Sequence, residues 1–323
     1  MEVKHCVYKN YALHTFKVVY PQNAASNAAK TRKFFVFHCN TVTGWYFAQM
    51  MQSNNFLVKL IFFLAVISVT ACASGPYVAT NKSYKKQAKA LAKIIATAPL
   101  QDSAIDASKW VGTTNFNMRK PNFVIIHHTA QTNYDSTLKT FTRPRSKVSA
   151  HYVIAKDGTV YHMLNDYLRA WQAGISKWGN MTDINSFSIG IEIDNDGFAP
   201  FTDAQITSLL TLLGRLKNAY DIPTANFIGH GDIAPGRKVD PSVKFPWKTL
   251  ADKGFGRWYT DTTGVQVPQN FQPDIALRII GYDIKNLPNA IGAFKRHFET
   301  IDKSTTLTDA DNKILYVLMK EAM

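Results

Sequence analysis

The chain has 323 residues, 46% of them hydrophobic and 19% charged, with a formal net charge of +14. That length and composition suit two globular domains, or one with appendages, and exclude a disordered or low-complexity chain. The three cysteines are Cys6, Cys39 and Cys72, so the body downstream of Cys72 has no disulfide and no thiolate metal ligand. Any metal held there must be held by His, Asp or Glu.

Seven basic residues against one acid lie upstream of Cys72, which leaves +8 downstream. A moderately basic protein suits a polyanionic surface such as nucleic acid, anionic lipid or an acidic cell-wall polymer. Charge alone does not choose among them. Residues 1–50 carry no recognisable chemistry, and with Met50 and Met51 as alternative starts they read as an over-extended start or a dispensable extension. In residues 51–72, Lys59 precedes an apolar run from Leu60 to Val69. The run is too short to span a bilayer as a helix but has the length of a signal-peptide core. It ends in Val69-Thr70-Ala71-Cys72, which resembles a bacterial lipobox. That resemblance implies lipidation of Cys72 and, with Ala73 following, an outer-membrane address facing the periplasm. Residues 73–99 read as a tether and a short helix. The tether covers 73–82, and the helix runs from Tyr84 to Ala98, packing through Leu91, Ile94 and Ile95 at helical spacing.

Residues 100–262 read as one α/β domain, a mixed central sheet flanked by helices. The β-branched run from Asn122 to Thr129 predicts a buried strand ending in His127 and His128. A short helix is expected from Tyr134 to Phe141. Two alternating runs, 149–156 and 159–164, flank Asp157-Gly158, a strong hairpin signal. The strand 186–194 places Ile189, Ile191 and Ile193 on one face and Gly190, Glu192 and Asp194 on the other. Thr202 and Gln205 form a capping box ahead of the apolar stripe Ile206, Leu209, Leu210, Leu213 and Leu216, and Pro223 closes that helix. A short strand, 226–229, feeds the loop from Gly229 to Pro241. Gly and Pro are dense in this loop, which predicts an irregular backbone. Two residues apart on an extended chain, Lys238 and Asp240 would share a side. Residues 267–323 predict a small helical bundle over 272–280, 287–300 and 309–321, with a capping-box-like Thr308-Asp-Ala-Asp311.

The histidines downstream of Cys72 are His127, His128, His151, His162, His230 and His297. A hydrolytic zinc site commonly takes three protein ligands and leaves one position open. His127, His230 and Asp240 come from the ends of neighbouring strands and could supply them, with Asp232 a rival to Asp240 by spacing. Glu192, on the polar face of a third strand, is a candidate general base. His128 reads as a polar residue at the strand end rather than a ligand, and His151 as a structural residue or one that supports a ligand.

Val124-Ile-Ile-His-His-Thr-Ala130, Ser149-Ala-His-Tyr152, Ala170-Trp-Gln-Ala-Gly174, Ser188-Ile-Gly-Ile-Glu192, the loop 229–241 and Phe245-Pro-Trp247 occur in the order seen in zinc N-acetylmuramoyl-L-alanine amidases. The resemblance covers about residues 100–260. With a lipobox in front and a helical module behind, the order of parts resembles the outer-membrane lipoproteins of that family. It implies Zn²⁺ as cofactor, with His127, His230 and Asp240 as its ligands. Glu192 is then the catalytic acid/base and Lys238 the oxyanion-stabilising group. Trp171 and Gln172 fall among the substrate contacts, Gln172 standing where many relatives have His. The implied partners are peptidoglycan or muropeptides and a membrane reached through the lipid anchor. The bundle is similar to peptidoglycan-binding modules, or else caps the catalytic domain. A non-catalytic peptidoglycan binder of the same fold is the alternative. Nucleic-acid binding rests on charge alone and has no supporting motif.

Overall fold

The computed structural model describes residues 5–8, 11–14, 75–96, 113, 115, 117–301 and 304–323. The segment 51–72, with Cys72 and the lipobox, lies outside the described residues. The chain divides into a unit up to Ser83 and a second from Tyr84 onward. In the first, β1 (His5–Tyr8) and β2 (Tyr11–His14) pair antiparallel, with His5 opposite His14.

Helix α1 (Val78–Ile95) begins six residues before the expected Tyr84 and takes up part of the expected tether. Gly75 and Pro76 precede it, and the Ala, Lys and Gln that fill it are strong helix formers. The expected stripe is exposed rather than buried. None of its residues is buried, and Leu91, Ile94 and Ile95 are 40%, 66% and 78% exposed. No described helix is long and apolar enough to cross a membrane.

The rest of the second unit is built on five strands: β3 (Phe123–His128), β4 (Tyr152–Ile154), β5 (Val160–His162), β6 (Ser188–Ile193) and β7 (Phe227–Gly229). Their order is β5-β4-β6-β3-β7. Only the β4–β5 hairpin is antiparallel, and the other pairs run parallel. Helix α2 (Tyr134–Thr142) follows β3, with Asn133 capping Ser136 N, and the single turn α3 (Ile184–Phe187) leads into β6. Helix α4 (Asp203–Tyr220) carries the expected Thr202–Gln205 capping box and stops at Asp221, which is left-handed with φ 48°. Pro223 then keeps the chain from resuming it.

Alternation along the strands sorts the sheet into two faces. Val124, Ile126, Ile189, Ile191, Ile193 and Phe227 pack with Leu209, Leu213 and Leu216 of α4. Phe123, Ile125 and Ile228 pack on the opposite face with Ala173, Ile184, Ile233 and Ala234. Each fully buried Ile or Leu contributes about 1.5–3 kcal/mol, so slipping any strand by one residue would be heavily penalised. His127 and Glu192 are paired in register on β3 and β6. By parity both fall on the face away from α4.

After β7 come the single turn α5 (His230–Ile233) and α6 (Trp247–Asp252). The chain ends in three helices: α7 (Pro273–Ile280), α8 (Leu287–Phe298) and α9 (Asp309–Ala322). They share a core of Leu277, Ile280, Phe294, Phe298, Ile314, Leu315 and Leu318. The expected Thr308–Asp311 capping box opens α9. Trp178 and Trp258 pack against both this core and those of the sheet.

Candidate metal centre and catalytic site

In open α/β sheets, sites form beyond the carboxyl ends of the parallel strands. His127 lies near that end of β3, Glu192 near that end of β6, and His230 follows the last residue of β7. Asp240 arrives from the loop after α5. That loop is less irregular than its Gly and Pro content predicted, because residues 230–233 form a helical turn. The Gly229 amide donates to Asp232 Oδ2 at 2.8 Å, and Gly231 N donates to the Asp240 carbonyl at 2.7 Å. At Gly236, where φ is 76°, an added Cβ would lie 2.1 Å from Asn289 Nδ2. Only glycine fits that turn.

His127 Nδ1 and His230 Nδ1 each lie 3.0 Å from the same oxygen, Asp240 Oδ2. The two rings meet edge to face with centroids 4.5 Å apart. One ligand atom from each of the three residues fits within 4.8 Å, and this is the one such group among the described residues. The three side chains are almost wholly buried. Behind them, His127 Nε2 lies 2.5 Å from Gln172 Oε1, and His230 Nε2 lies 3.1 Å from the Ala173 carbonyl. Both contacts require a ring N–H on Nε2, which turns the Nδ1 atoms toward the centre. Metal-binding histidines are commonly oriented in this way.

Burial opposes a proton on His127, but the charges of Glu192 and Asp240 outweigh it and raise its pKa. Burial and the neighbouring His127 lower His230 to about 4. Burial also works against the Asp240 carboxylate, yet its bonds to His127 and His230 hold its pKa well below the ordinary value. The pocket gathers negative charge and draws a cation to it. Two imidazoles and a carboxylate are a donor set suited to a borderline divalent metal with an open fourth position. The residues fit such an ion.

Burial pushes Glu192 up to about 7. Its Oε2 is shielded and has no hydrogen-bond partner among the described residues. A carboxyl that titrates near neutrality beside three candidate ligands is poised to exchange protons. The charge of half-buried Lys238 bears on both Glu192 and His230.

The other expected residues fall outside this group. Asp232 accepts from Gly229 N, Tyr282 and His297, and is not among the three clustered ligand residues. His128 Nδ1 accepts from Ser242 N, and burial lowers its pKa. His151 accepts from Gly190 N on Nδ1, donates to the Leu168 carbonyl, and is lowered to about 4 by burial. Trp171 is 52% exposed. Gln172 turns inward, with Oε1 on His127 and Nε2 donating to Ser188 Oγ at 2.7 Å. Asn185 Oδ1 accepts from the amides of Gln172 and Ala173 at 3.0 and 2.9 Å. Arg237 donates to the carbonyls of Ala173 and Ile175, both at 2.6 Å. These contacts pin the strip that orients both histidines.

Comparison with known proteins places this geometry. Residues 117–243 match the family described as N-acetylmuramoyl-L-alanine amidase. Amidase AmiD of Escherichia coli (strain K12) is 38% identical over 151 residues, 42% of this chain and 54% of that protein. The chain thus spans about half the length of that curated relative. A structure of E. coli AmiD with anhydro-N-acetylmuramic acid-L-Ala-D-gamma-Glu-L-Lys superposes with a TM-score of 0.58 at 28% identity, covering 67% of this chain and 97% of that one. AmpDh3 of Pseudomonas aeruginosa with an anhydromuramic pentapeptide superposes at 0.55 with 30% identity, covering 67% and 98%. The chain belongs to this amidase family.

Within the amidase family the inward Gln172 gains meaning. It occupies the second nitrogen of His127. The sequence carried a signal for this in Gly190 on the neighbouring strand. A Cβ there would lie 2.8 Å from Gln172 Cγ and Cδ, so glycine leaves the room that the Gln172 side chain fills.

Proposed function

We propose that this chain is a zinc hydrolase that cleaves the amide between the lactyl group of N-acetylmuramic acid and L-alanine in peptidoglycan or muropeptides. The observation that carries this reading is the convergence of His127, His230 and Asp240, with Glu192 beside them on the adjacent strand. The muropeptides held by the AmiD and AmpDh3 structures are the natural substrate class to carry over. A zinc ion held by the three ligands would supply a Lewis acid that polarises the scissile carbonyl and makes water acidic near neutral pH.

Glu192 takes a proton from water as the water oxygen bonds to the lactyl carbonyl carbon. Its shielding and the absence of a hydrogen-bond partner on Oε2 leave it open to accept and release that proton. As the C–N bond breaks, the protonated Glu192 gives the proton to the nitrogen of L-alanine, which leaves as an amine. The Lys238 ammonium offsets charge developing on the carbonyl oxygen, usually a large catalytic contribution. Exposed Trp171 offers an apolar platform at the rim. For location, we propose a bacterial envelope lipoprotein anchored through Cys72, with the outer membrane as its address.

Mass spectrometry of muropeptides incubated with the purified chain tests this reading. Peptides with a free N-terminal L-alanine should appear, vanish with chelator and return with zinc. Cleavage between sugars or within the peptide, or products indifferent to chelator, would refute it. Binding without any product would favour the recognition-protein alternative.

A further inference from the structure

The carboxylate of Asp232 is 4% exposed and accepts three hydrogen bonds. One comes from its own turn, Gly229 N, at 2.8 Å. The other two come from the C-terminal bundle: the Tyr282 hydroxyl to Oδ1 at 2.8 Å and His297 Nδ1 to Oδ2 at 2.8 Å. A carboxylate only accepts, so His297 must carry its proton on Nδ1. Both donors are nearly inaccessible, with Tyr282 2% and His297 4% exposed.

The donors are themselves held. The Trp247 ring of α6 stacks on His297 with centroids 4.0 Å apart and planes 12° apart, and Trp178 meets Tyr282 edge to face at 5.0 Å. Gly179 N donates to the Gly281 carbonyl at 2.7 Å, and Lys177 pairs with Asp283 at 3.1 Å. The bundle is therefore fixed to the catalytic part on both sides of Asp232.

What Asp232 holds is the metal loop. It sits on α5, whose first residue is His230, and its neighbour Gly231 bonds through its amide to the carbonyl of Asp240. One cavity of about 10 Å³ is walled by Gly231, Asp240 and Pro241 of the loop and by Ala293, Arg296 and His297 of α8. The bundle thus backs both arms of the loop, the one that carries His230 and the one that carries Asp240.

We infer that the C-terminal bundle is a working part of the metal centre, and that Tyr282 and His297 are positioning residues that set His230 against Asp240 by fixing Asp232. The inference rests on the proposed zinc site and assigns the bundle a role in the reaction that needs no contact with substrate. In its absence Asp232 would keep one donor of three, and the turn bearing His230 would be free to shift against Asp240.

The test uses the full chain and reads zinc affinity by chelator competition, the visible spectrum of the cobalt-substituted protein, and kcat and KM separately. Tyr282→Phe removes one oxygen. His297→Ala removes the second donor, while His297→Asn restores an N–H close to the place of Nδ1. Tyr282→Phe and His297→Ala should raise the zinc dissociation constant by up to about 10-fold, the low end of the effect of losing a partner bonded to a ligand, because they act on His230 through Asp232. The cobalt spectrum should shift, and kcat should fall with little change in KM. His297→Asn should recover most of the affinity. Cooperative thermal unfolding, followed by circular dichroism, confirms that each variant is folded. If His297→Ala fails to fold, Tyr282→Phe and His297→Asn decide the matter. Wild-type zinc affinity and cobalt spectrum in Tyr282→Phe would overturn the inference and leave the amidase reading intact. A wild-type protein that binds neither zinc nor cobalt would overturn both.

Discussion

Glu192→Gln separates the chemistry of the site from its stability, because the change keeps shape and removes the titration. The folded pKa of Glu192 is about 7 against an ordinary 4.5, and burial is the chief cause. A carboxyl raised in this way weakens the fold when it ionises. The contribution of Glu192 to the metal-free protein is therefore fully present below pH 4.5, is lost as pH rises toward 7, and levels off above it. At 1.36 kcal/mol per pH unit the loss is roughly 3 kcal/mol, reduced somewhat by solvent screening at the open edge of the site. The Gln variant keeps a constant cost for a buried amide N–H, about 1–3 kcal/mol, and does not have the pH-dependent loss. Between pH 4.5 and 8, with chelator present, its melting temperature should gain on wild type by up to roughly 6–12 °C. Loaded with zinc, the same variant should lose about 10²–10⁴ in kcat, the range of general acid–base catalysis, or about 2.7–5.5 kcal/mol of barrier. Metal content by elemental analysis, differential scanning calorimetry over pH, and muropeptide turnover measure the three quantities. Zinc-loaded Glu192→Gln turning over within about threefold of wild type would refute the assignment, given that expected range. A melting-temperature difference that does not change with pH would refute the electrostatic account.

Lys238→Ala should lower kcat by about 10²–10³ with a smaller change in KM, as for loss of an oxyanion donor. An effect confined to KM would make Lys238 a binding residue instead. Gln172→Ala should weaken zinc binding by about 10–100-fold. Gly190→Ala should do the same by driving a Cβ to 2.8 Å from the Gln172 side chain. Unchanged competition titrations in both variants would remove Gln172 from the support of His127. Asp240→Asn should abolish stoichiometric zinc binding, as measured by equilibrium dialysis, because the paired histidines lose the carboxylate both of them face.

The sheet was legible because alternation and β-branching carry it. Ile189, Ile191 and Ile193 announced one face of β6, and that parity put Glu192 on the opposite face before any coordinates; the register with β3 then set it beside His127. The absence of cysteine downstream of Cys72 narrowed the possible ligands to His, Asp and Glu. Helix α1 misled because Leu91, Ile94 and Ile95 have the spacing of a packed stripe, while spacing cannot say whether anything covers it. The inward turn of Gln172 depended on a contact with a histidine 45 residues away and on the room left by Gly190. The place of Asp232 was harder still. Its partners Tyr282 and His297 lie 50 and 65 residues downstream in another layer of the protein, and no local pattern links them. Spacing alone made Asp232 a rival ligand.

The shared contact of His127 and Asp240 joins residues 113 positions apart. In an unfolded chain these groups are strangers, so a cation bound between them closes a very long loop and cannot be held strongly until β3, β6 and β7 have paired. Metal affinity here is then folding free energy in another form. Free zinc at about 100 times its dissociation constant would add about 2.7 kcal/mol to the stability of the whole unit. A cell that supplies or withholds zinc would then be tuning how long this protein survives as well as how fast it works.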